Sequence, residues 1–344
     1  MTEVKEAGFA AEFIAASPNF WDDIKLENID AKHREILEQV AQLNVDSFKL
    51  ASRQWNMQTD LGSNAQFSIS KGLKRGIIRP IYRKFFRPLD EACIRSSLLD
   101  DIDIIKLIGA GEMLKNNPVH KTPGVVDYSF HDGVSVNIRW LRYIYLAHRL
   151  IERNLLNNGI WVDIGSFYGG LQGLVHKYEP GNLKILVDFH HQLLRSYVYL
   201  KKQFPDEIHV LPNKISKEFL RNDLPKRGFL YCPASQFHKL SDLKVDLVSN
   251  FFSFGEMKRP TFNSYMNSDL VSNSNKRYLV NRFISAPFFE PTYDSDLNIL
   301  DYIDTKKFDY FDVFPMHHYK VINRIMFGRS FHRNTSSSYF ELIY

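Results

Sequence analysis

The chain has 344 residues, of which 44% are hydrophobic and 24% are charged, a composition typical of a globular protein. Its formal net charge of +5 is small for this length and argues against a nucleic-acid partner. Two cysteines, Cys93 and Cys232, cannot build a disulfide framework, and no apolar run reaches the roughly 18 residues that span a bilayer. The first residues lack the basic and apolar regions of a secretory signal, so we expect a cytoplasmic protein.

The pattern is mostly helical up to about residue 155. Ala31 to Leu50 has apolar residues at helical spacing, which predicts one amphipathic helix. Ser97 to Leu114 predicts a helix with a break at Gly109–Gly111. Asn137 to Leu155 predicts another, which ends at the turn before Gly159. We therefore predict a helical N-terminal region over residues 1–155 and a separate domain over 156–344.

Short β-rich runs alternate with helical stretches after residue 155. This alternation predicts an α/β fold with a mostly parallel sheet that is covered on both faces. The last two strands lack a helix between them, which predicts that they form an antiparallel pair. The predicted strands are Ile160–Ile164, Lys184–Phe189, Ile208–Leu211, Val245–Ser249, Arg277–Phe283, Tyr310–Phe314 and Ser338–Ile343.

The most informative stretch is WVDIGSFYGG, residues 161–170. An apolar strand runs into Gly165, Ser166 and Gly169, and a second strand ends in Asp188. Glycines let the backbone approach a ligand closely, and an acid that ends the second strand accepts hydrogen bonds from ribose hydroxyls. The glycine spacing misses the dinucleotide pattern, and Asp163 would repel a pyrophosphate but suit a cationic ligand. These details favour S-adenosylmethionine over NAD.

The sequence resembles the class I S-adenosylmethionine-dependent methyltransferases, and more narrowly the sugar O-methyltransferase family of bacterial surface-polysaccharide synthesis. The resemblance covers about residues 120–315 and rests on VDIGSFYGG (162–170), ILVD (185–188), VDLVSNFFSFGEM (245–257) and YLVNR (278–282). It implies a Rossmann-like, seven-stranded sheet with a helical N-terminal cap for acceptor binding or oligomerisation. It also implies methyl transfer to a sugar hydroxyl in O-antigen or capsule synthesis.

One position departs from the family, because Phe167 stands where the usual motif has glycine. A bulky residue is strained at positive φ. We therefore predict a negative φ at Phe167, with its ring as a wall near the methionine end of the cofactor.

Candidate site residues follow from strand position. Glu256, after the fourth core strand, is the first candidate for the general base. The alternative is that Glu256 only begins a helix, where its negative charge favours the helix dipole. Ser253 is predicted to position the acceptor, and His317 is the second candidate base. The residues predicted to bind the cofactor are Asp163, Gly165, Ser166, Phe167, Gly169, Asp188, Ser235, Gln236 and Asn250. No metal ligands are predicted, although the use of a divalent metal ion is not excluded by the sequence.

A basic segment from Lys71 to Arg87 contains seven basic residues and no acidic one. A solvated helix face, an anionic membrane surface and a pyrophosphate-bearing acceptor all remain open for it. We predict that Arg79 and Arg83 hold the acceptor, which is a nucleotide sugar, a lipid-linked glycan or a polysaccharide end. Peripheral membrane contact and a homo-oligomer are further open expectations. The alternative functions are methylation of a small natural product, a lipid or RNA, and a non-catalytic scaffold for polysaccharide assembly.

Overall fold

The computed structural model describes residues 2–26, 31–54, 98–119, 128–285, 297–303, 308–316, 322–326, 329–333 and 339–344. Contacts divide the chain into two compact units. One contains Met1–Trp55, Arg149–Phe314 and Tyr339–Tyr344, and the other contains Asn56–His148 and Pro315–Ser338. The contacts thus group residues 1–55 with the sheet, whereas the predicted division at residue 155 separates them from it.

Two N-terminal helices of the first unit, α1 (Thr2–Ala15) and α2 (Phe20–Leu26), pack against the helix that follows β-strand residues 183–188, α9 (His190–Gln203). The predicted single helix over Ala31 to Leu50 is wrong, because the chain forms two helices there. Leu43 has φ +63° between them, and the Asn44 side chain accepts the Ser47 N–H at the start of the second. The helices of this unit are α1 (Thr2–Ala15), α2 (Phe20–Leu26), α3 (Ala31–Ala41), α4 (Val45–Gln54), α8 (Gly170–His176), α9 (His190–Gln203), α10 (Lys217–Asn222), α11 (Arg259–Met266) and α12 (Asp269–Ser272).

The first unit is built on one eight-stranded sheet. Its strands are β3 (Ile160–Ile164), β4 (Leu183–Asp188), β5 (His209–Val210), β6 (Gly228–Pro233), β7 (Leu247–Phe251), β8 (Lys276–Arg282), β9 (Tyr310–Val313) and β12 (Tyr339–Ile343). Their order across the sheet is β5-β6-β4-β3-β7-β8-β12-β9. The five pairings from β5 to β8 are parallel, and β12 pairs antiparallel with both β8 and β9. The antiparallel pair of final strands is therefore confirmed, and the sheet has eight strands rather than seven.

Strand β6 has no counterpart among the predicted strands. All six of its residues are buried, so it shows no alternation of polar and apolar positions. The next two strands across the sheet, β4 and then β3, are also almost wholly buried, as expected for parallel strands with both faces covered.

Strand order reverses between β3 and β7. From β3 the chain builds β4 and β6 on one side, and it then returns to add β7 and β8 on the other. Ligands of open α/β sheets bind outside the carboxyl ends of the strands at such a switch point. We call this side of the sheet the carboxyl edge and the opposite side the amino edge.

The second unit contains two hairpins and several helices. Strands β1 (Ser129–His131) and β2 (Val134–Val136) pair antiparallel, as do β10 (Ile322–Met326) and β11 (Arg329–Arg333). Helices α5 (98–107) and α6 (Gly111–Asn116) confirm the predicted break, since Gly109 has φ +84°. Helix α7 (Ile138–Glu152) is divided between the units after His148. Within the described residues, no helix is both long and apolar enough to cross a membrane.

Candidate functional site at the carboxyl edge

The loop after β3 turns back against the neighbouring strand at Gly165. The Gly165 N–H donates to the Val187 carbonyl at 2.8 Å, and its φ is +79°. A Cβ at this position would lie 2.1 Å from Ser253 Oγ. Glycine is therefore required twice, by the backbone conformation and by the close approach of the β7 loop. Gly169 ends the loop, also at φ +79°, and α8 follows it.

The predicted negative φ at Phe167 is wrong, because its φ is +55°. Tertiary contacts hold this strained conformation. The Phe167 N–H donates to Asp188 Oδ2 at 2.7 Å, and its carbonyl accepts from Ser196 Oγ at 2.6 Å. The Arg195 guanidinium lies 4.9 Å from the ring centroid. Positive φ at a bulky residue costs of order 1–3 kcal/mol and is concentrated at ligand sites. The ring's predicted place beside the methionine end stays a prediction.

A second strained phenylalanine lies at the end of β7. Phe252 has φ +71°, and its N–H donates to the Val280 carbonyl at 2.7 Å. Its ring packs edge-on against Phe314 and Tyr339. The two strained residues, Phe167 and Phe252, thus follow the two strands that flank the switch point. Phe252 could not be predicted from the sequence, since nothing in the local sequence signals its backbone conformation.

Asp163 lies near the end of β3 and is 3% exposed. Its Oδ1 accepts the Ser249 hydroxyl at 2.5 Å, and its Oδ2 accepts the Gln172 amide. Burial raises the pKa of Asp163 to about 7, although the hydrogen bond from Ser249 acts in the opposite direction and the Asp188 charge adds to the rise. Within the described chain no basic side chain pairs with this carboxylate.

Asp188 ends β4 and faces the same loop, as predicted. Its two oxygens accept the N–H groups of Phe167 and Phe189 at 2.7 and 2.8 Å. A carboxylate oxygen can accept more than one hydrogen bond, so a carboxylate at this position is chemically suited to a ribose hydroxyl. Two buried atoms nearby, Ser166 Oγ and Gln172 Oε1, have no hydrogen-bond partner in the described structure. Such atoms around a glycine loop fit a polar ligand.

Asn250 is fully buried at the end of β7 and joins three segments. Its Nδ2 donates to the Ile164 carbonyl and Ser253 Oγ at 2.7 and 2.6 Å. Its Oδ1 accepts from Phe254 N and Asn281 Nδ2, each at 3.0 Å. These bonds use both donors of the amide and both acceptor positions. Asn250 therefore positions the β7 loop, and the predicted contact with the cofactor would require one of the four bonds to break.

Glu256 lies beyond this loop in the turn Phe254–Glu256, and its side chain is 51% exposed. Its Oε1 lies 3.5 Å from Nη2 of Arg282, the last residue of β8. Arg282 is almost wholly buried and also donates from Nε to Tyr339 Oη at 3.1 Å. The carboxylate is therefore open to solvent at the carboxyl edge while a fixed guanidinium orients it.

Ser235 and Gln236 follow β6 at the same edge. The Gln236 side chain is buried, and its Oε1 accepts from Lys239 at 3.1 Å. The exposed Ser235 hydroxyl donates to Oδ2 of Asp23, from α2, at 2.6 Å. The same oxygen lies 3.6 Å from His190 Nδ1. Asp23 could not be assigned from the sequence, because it lies 212 positions from Ser235 along the chain, whereas His190 was expected to flank the cofactor because it follows Asp188.

Some predicted site residues lie outside the described residues. These are Arg79, Arg83 and His317, with the rest of the basic segment and His318. Among the residues that are described, no group of three His, Cys, Asp or Glu side chains could hold a metal ion. The roles of these residues, and the prediction that the chain has no metal ligands, stay predictions.

Comparison with known proteins gives structural similarity alone. No protein-family model matches the sequence, and no curated protein matches it. The methyltransferase domain of bacterial CtHen1-CN matches with 13% identity and a TM-score of 0.34, covering 60% of this chain and 99% of that one.

Two further similar structures are the small RNA methyltransferase HEN1 and human N-acetylserotonin methyltransferase in complex with SAM. HEN1 has 12% identity and a TM-score of 0.37, covering 63% of this chain and 27% of that one. The human enzyme has 8% identity and a TM-score of 0.30, covering 99% and 92%. Similarities this low carry no argument about function, which must come from the residues of the chain itself.

Proposed function

We propose that the chain is an S-adenosylmethionine-dependent methyltransferase. The observation that carries the proposal is Asp163, a buried carboxylate beneath a glycine loop at the switch point of the sheet. Its hydrogen-bond donors are neutral, and no basic side chain in the described residues pairs with it. A desolvated acid in such surroundings favours a ligand that brings positive charge.

The residues around the loop fit such a cofactor. The Asp188 carboxylate at the end of β4 accepts ribose hydroxyls, and the unpartnered Ser166 hydroxyl offers a hydrogen bond to the ligand. Gly165 lets the loop after β3 lie close to the loop after β7, because a side chain at this position would collide with Ser253. When bound, S-adenosylmethionine supplies an electrophilic methyl group on a sulfonium centre.

The part of the proposed site that binds the methyl acceptor lies on the other side of the switch point, in the segments that follow β7 and β8. The Glu256 carboxylate accepts the proton of the acceptor hydroxyl, and Arg282 holds that carboxylate in place. A hydroxyl is a weak nucleophile at neutral pH, so a positioned base accelerates its methylation. His317 is the alternative base, and Ser253 helps to position the acceptor.

A sugar hydroxyl is the proposed acceptor, within bacterial surface-glycan synthesis of the O-antigen or capsule type. Support for this finer assignment comes from the sequence resemblance over residues 120–315. The basic segment with Arg79 and Arg83 supplies guanidinium groups suited to a pyrophosphate-linked or lipid-linked sugar. The enzyme is proposed to act in the cytoplasm, with peripheral contact at the inner face of the membrane.

Two measurements test the proposal. Calorimetric titration should show binding of S-adenosylhomocysteine and of S-adenosylmethionine, with NAD as a control ligand that does not bind. Mass spectrometry should then detect addition of one methyl group to an acceptor in a panel of nucleotide sugars, lipid-linked glycans and polysaccharides. RNA, lipids and small natural products complete the panel. Absence of cofactor binding would overturn the assignment, and methylation of RNA alone would replace the sugar acceptor.

A further inference from the structure

Helix α2 lies against the carboxyl edge through Asp23. Its Oδ2 accepts from Ser235 Oγ at 2.6 Å, two residues beyond β6, and lies 3.6 Å from Nδ1 of His190, two residues beyond β4. The Phe20 ring packs edge-on against the His190 ring at 5.5 Å. A carboxylate from the N-terminal region is therefore fixed next to the ends of two neighbouring strands.

The order of these strands defines which part of a bound nucleoside would meet Asp23. The glycine loop follows β3, the acid Asp188 ends β4, and Ser235 follows β6, the next strand along the sheet. Adjacent strands are about 4.8 Å apart, so β6 lies about 10 Å from β3. A ligand with its ribose at Asp188 and its other end at the switch point places its purine near the end of β6.

The two oxygens of Asp23 have different surroundings. Ser235 donates a hydrogen bond to Oδ2, and His190 Nδ1 lies 3.6 Å from the same oxygen. No hydrogen-bond partner of Oδ1 is found among the described residues. The side chain is 22% exposed, so the carboxylate group is only partly covered by the protein. The arrangement is not a catalytic triad, because the carboxylate rather than the imidazole lies between the other two groups.

We infer that Asp23 is the specificity residue for the purine, and that its Oδ1 accepts a hydrogen bond from the 6-amino group of adenine. This inference rests on the proposed function. A carboxylate can only accept hydrogen bonds, so it favours the 6-amino group of adenine and repels the 6-oxo group of hypoxanthine. Helix α2, from the N-terminal region, thereby completes the cofactor site.

Asp23→Asn provides a sharp test, because one terminal atom of asparagine is a donor. The Ser235 hydroxyl would keep the amide oxygen on its side, which leaves Nδ2 in the position of Oδ1. Wild-type protein should bind S-adenosylhomocysteine at least 10-fold more tightly than S-inosylhomocysteine, in line with a charged hydrogen bond. Asp23→Asn should abolish or reverse this preference.

Asp22→Asn is the matched control. Asp22 neighbours Asp23 on the same helix, but its exposed carboxylate pairs with Lys25 at 2.8 Å. This variant should keep the wild-type preference for adenine. A third ligand, the 6-unsubstituted purine analogue of S-adenosylhomocysteine, gives a test that needs no variant. Wild-type protein should bind it about 10-fold more weakly than the adenine form, since it lacks the donor.

The outcomes separate this inference from the proposed function. Tight binding of S-adenosylhomocysteine without discrimination against the 6-oxo and 6-unsubstituted analogues would overturn the role of Asp23 alone. An unchanged preference in a folded Asp23→Asn variant would do the same. Failure of wild-type protein to bind any of the three ligands would overturn both.

Discussion

The two edges of the sheet each hold a buried ionisable side chain, and their surroundings differ. Asp163 lies near the carboxyl end of β3, whereas Lys184 lies near the amino end of β4. Burial raises the pKa of Asp163 and lowers the pKa of Lys184, each to about 7. Burial is the largest cause of both shifts, so the comparison between the edges turns on which groups surround each charge.

At the amino edge, Lys184 is surrounded by acceptors. Its Nζ donates to the Glu179 carbonyl at 2.9 Å and to Asn182 Oδ1 at 3.2 Å, and it lies 3.3 Å from His176 Nδ1. His176 Nε2 in turn lies 3.5 Å from Glu207. The charge of Glu207 acts against the burial that lowers the pKa of Lys184. The fold itself therefore supplies hydrogen-bond acceptors and a nearby carboxylate to Lys184.

At the carboxyl edge, Asp163 receives two neutral donors, and the nearby Asp188 charge raises its pKa further. A fold optimised for stability alone would replace this carboxylate with a neutral side chain. We interpret the amino edge as structural, and under the proposed function the acid at the carboxyl edge faces a cationic ligand instead of a partner from the fold. The following variants test that division, beginning with the largest expected effect.

Glu256→Gln should lower kcat by about 10²–10⁴ and leave cofactor affinity nearly unchanged, because the amide cannot accept the proton of the acceptor. The measurement is steady-state methyl transfer together with a cofactor titration. Glu207→Gln is the matched control at the amino edge, and it should alter thermal stability without changing kcat. Near-wild-type turnover in Glu256→Gln would remove this residue from the mechanism and favour His317.

Lys184→Met should change the pH dependence of stability. Below pH 7 Lys184 is charged in both states, and between about pH 7 and 10.5 only the unfolded chain keeps the proton. Lys184 therefore makes the folded state more stable as pH rises through that window, by up to about 4 kcal/mol. Urea unfolding at pH 7 and 9.5 should show that wild type gains stability relative to Lys184→Met. If the difference in unfolding free energy between the two proteins were the same at both pH values, the Lys184 ammonium group would instead be exposed to solvent.

Asp188→Ala should weaken binding of S-adenosylhomocysteine by about 1.5–3 kcal/mol, the scale for losing a charged hydrogen-bond partner. Asp246→Ala is its control, since Asp246 accepts the Ile160 N–H at 2.9 Å near the amino edge. The control should lose stability but keep its affinity for the cofactor. Calorimetry and thermal unfolding of both variants check this, and equal affinities in the two would move the ribose site elsewhere.

Sequence patterns predicted the part of the site that one βαβ unit builds. Asp163, Gly165 and Asp188 lie within 26 residues of one another, so their spacing on strand and loop carries the information. Strand β6 escaped prediction because its uniformly buried residues have no periodicity. Asp23 escaped because only the tertiary fold brings α2 to the end of β6.

The conformation of Phe167 shows why a residue's intrinsic preference was insufficient. The general preference of phenylalanine for negative φ led to the wrong prediction at Phe167. Asp188 accepts the Phe167 N–H and Ser196 donates to its carbonyl, and these bonds stabilise the left-handed conformation. Those partners lie 21 and 29 residues away along the chain. Backbone strain of this kind depends on the surrounding structure and has no local sequence signal.

Asp163→Asn should remove a preference for the cationic cofactor. Asparagine retains the shape of the side chain, so S-adenosylhomocysteine, which lacks the sulfonium charge, should bind the variant nearly as well as wild type. Binding of S-adenosylmethionine should weaken by about 10-fold at pH 8, as expected when one nearby charge is lost at an effective dielectric of about 20.

The pH dependence of the same affinities sharpens this test. Because the pKa of Asp163 is raised to about 7, the carboxylate is mostly neutral at pH 6 and mostly ionised at pH 8. Wild-type preference for S-adenosylmethionine over S-adenosylhomocysteine should therefore rise between these pH values, whereas Asp163→Asn should show a flat ratio. Calorimetry at both pH values measures it. A ratio that rises equally in the variant would assign the titration to another group and leave Asp163 as structural as Lys184.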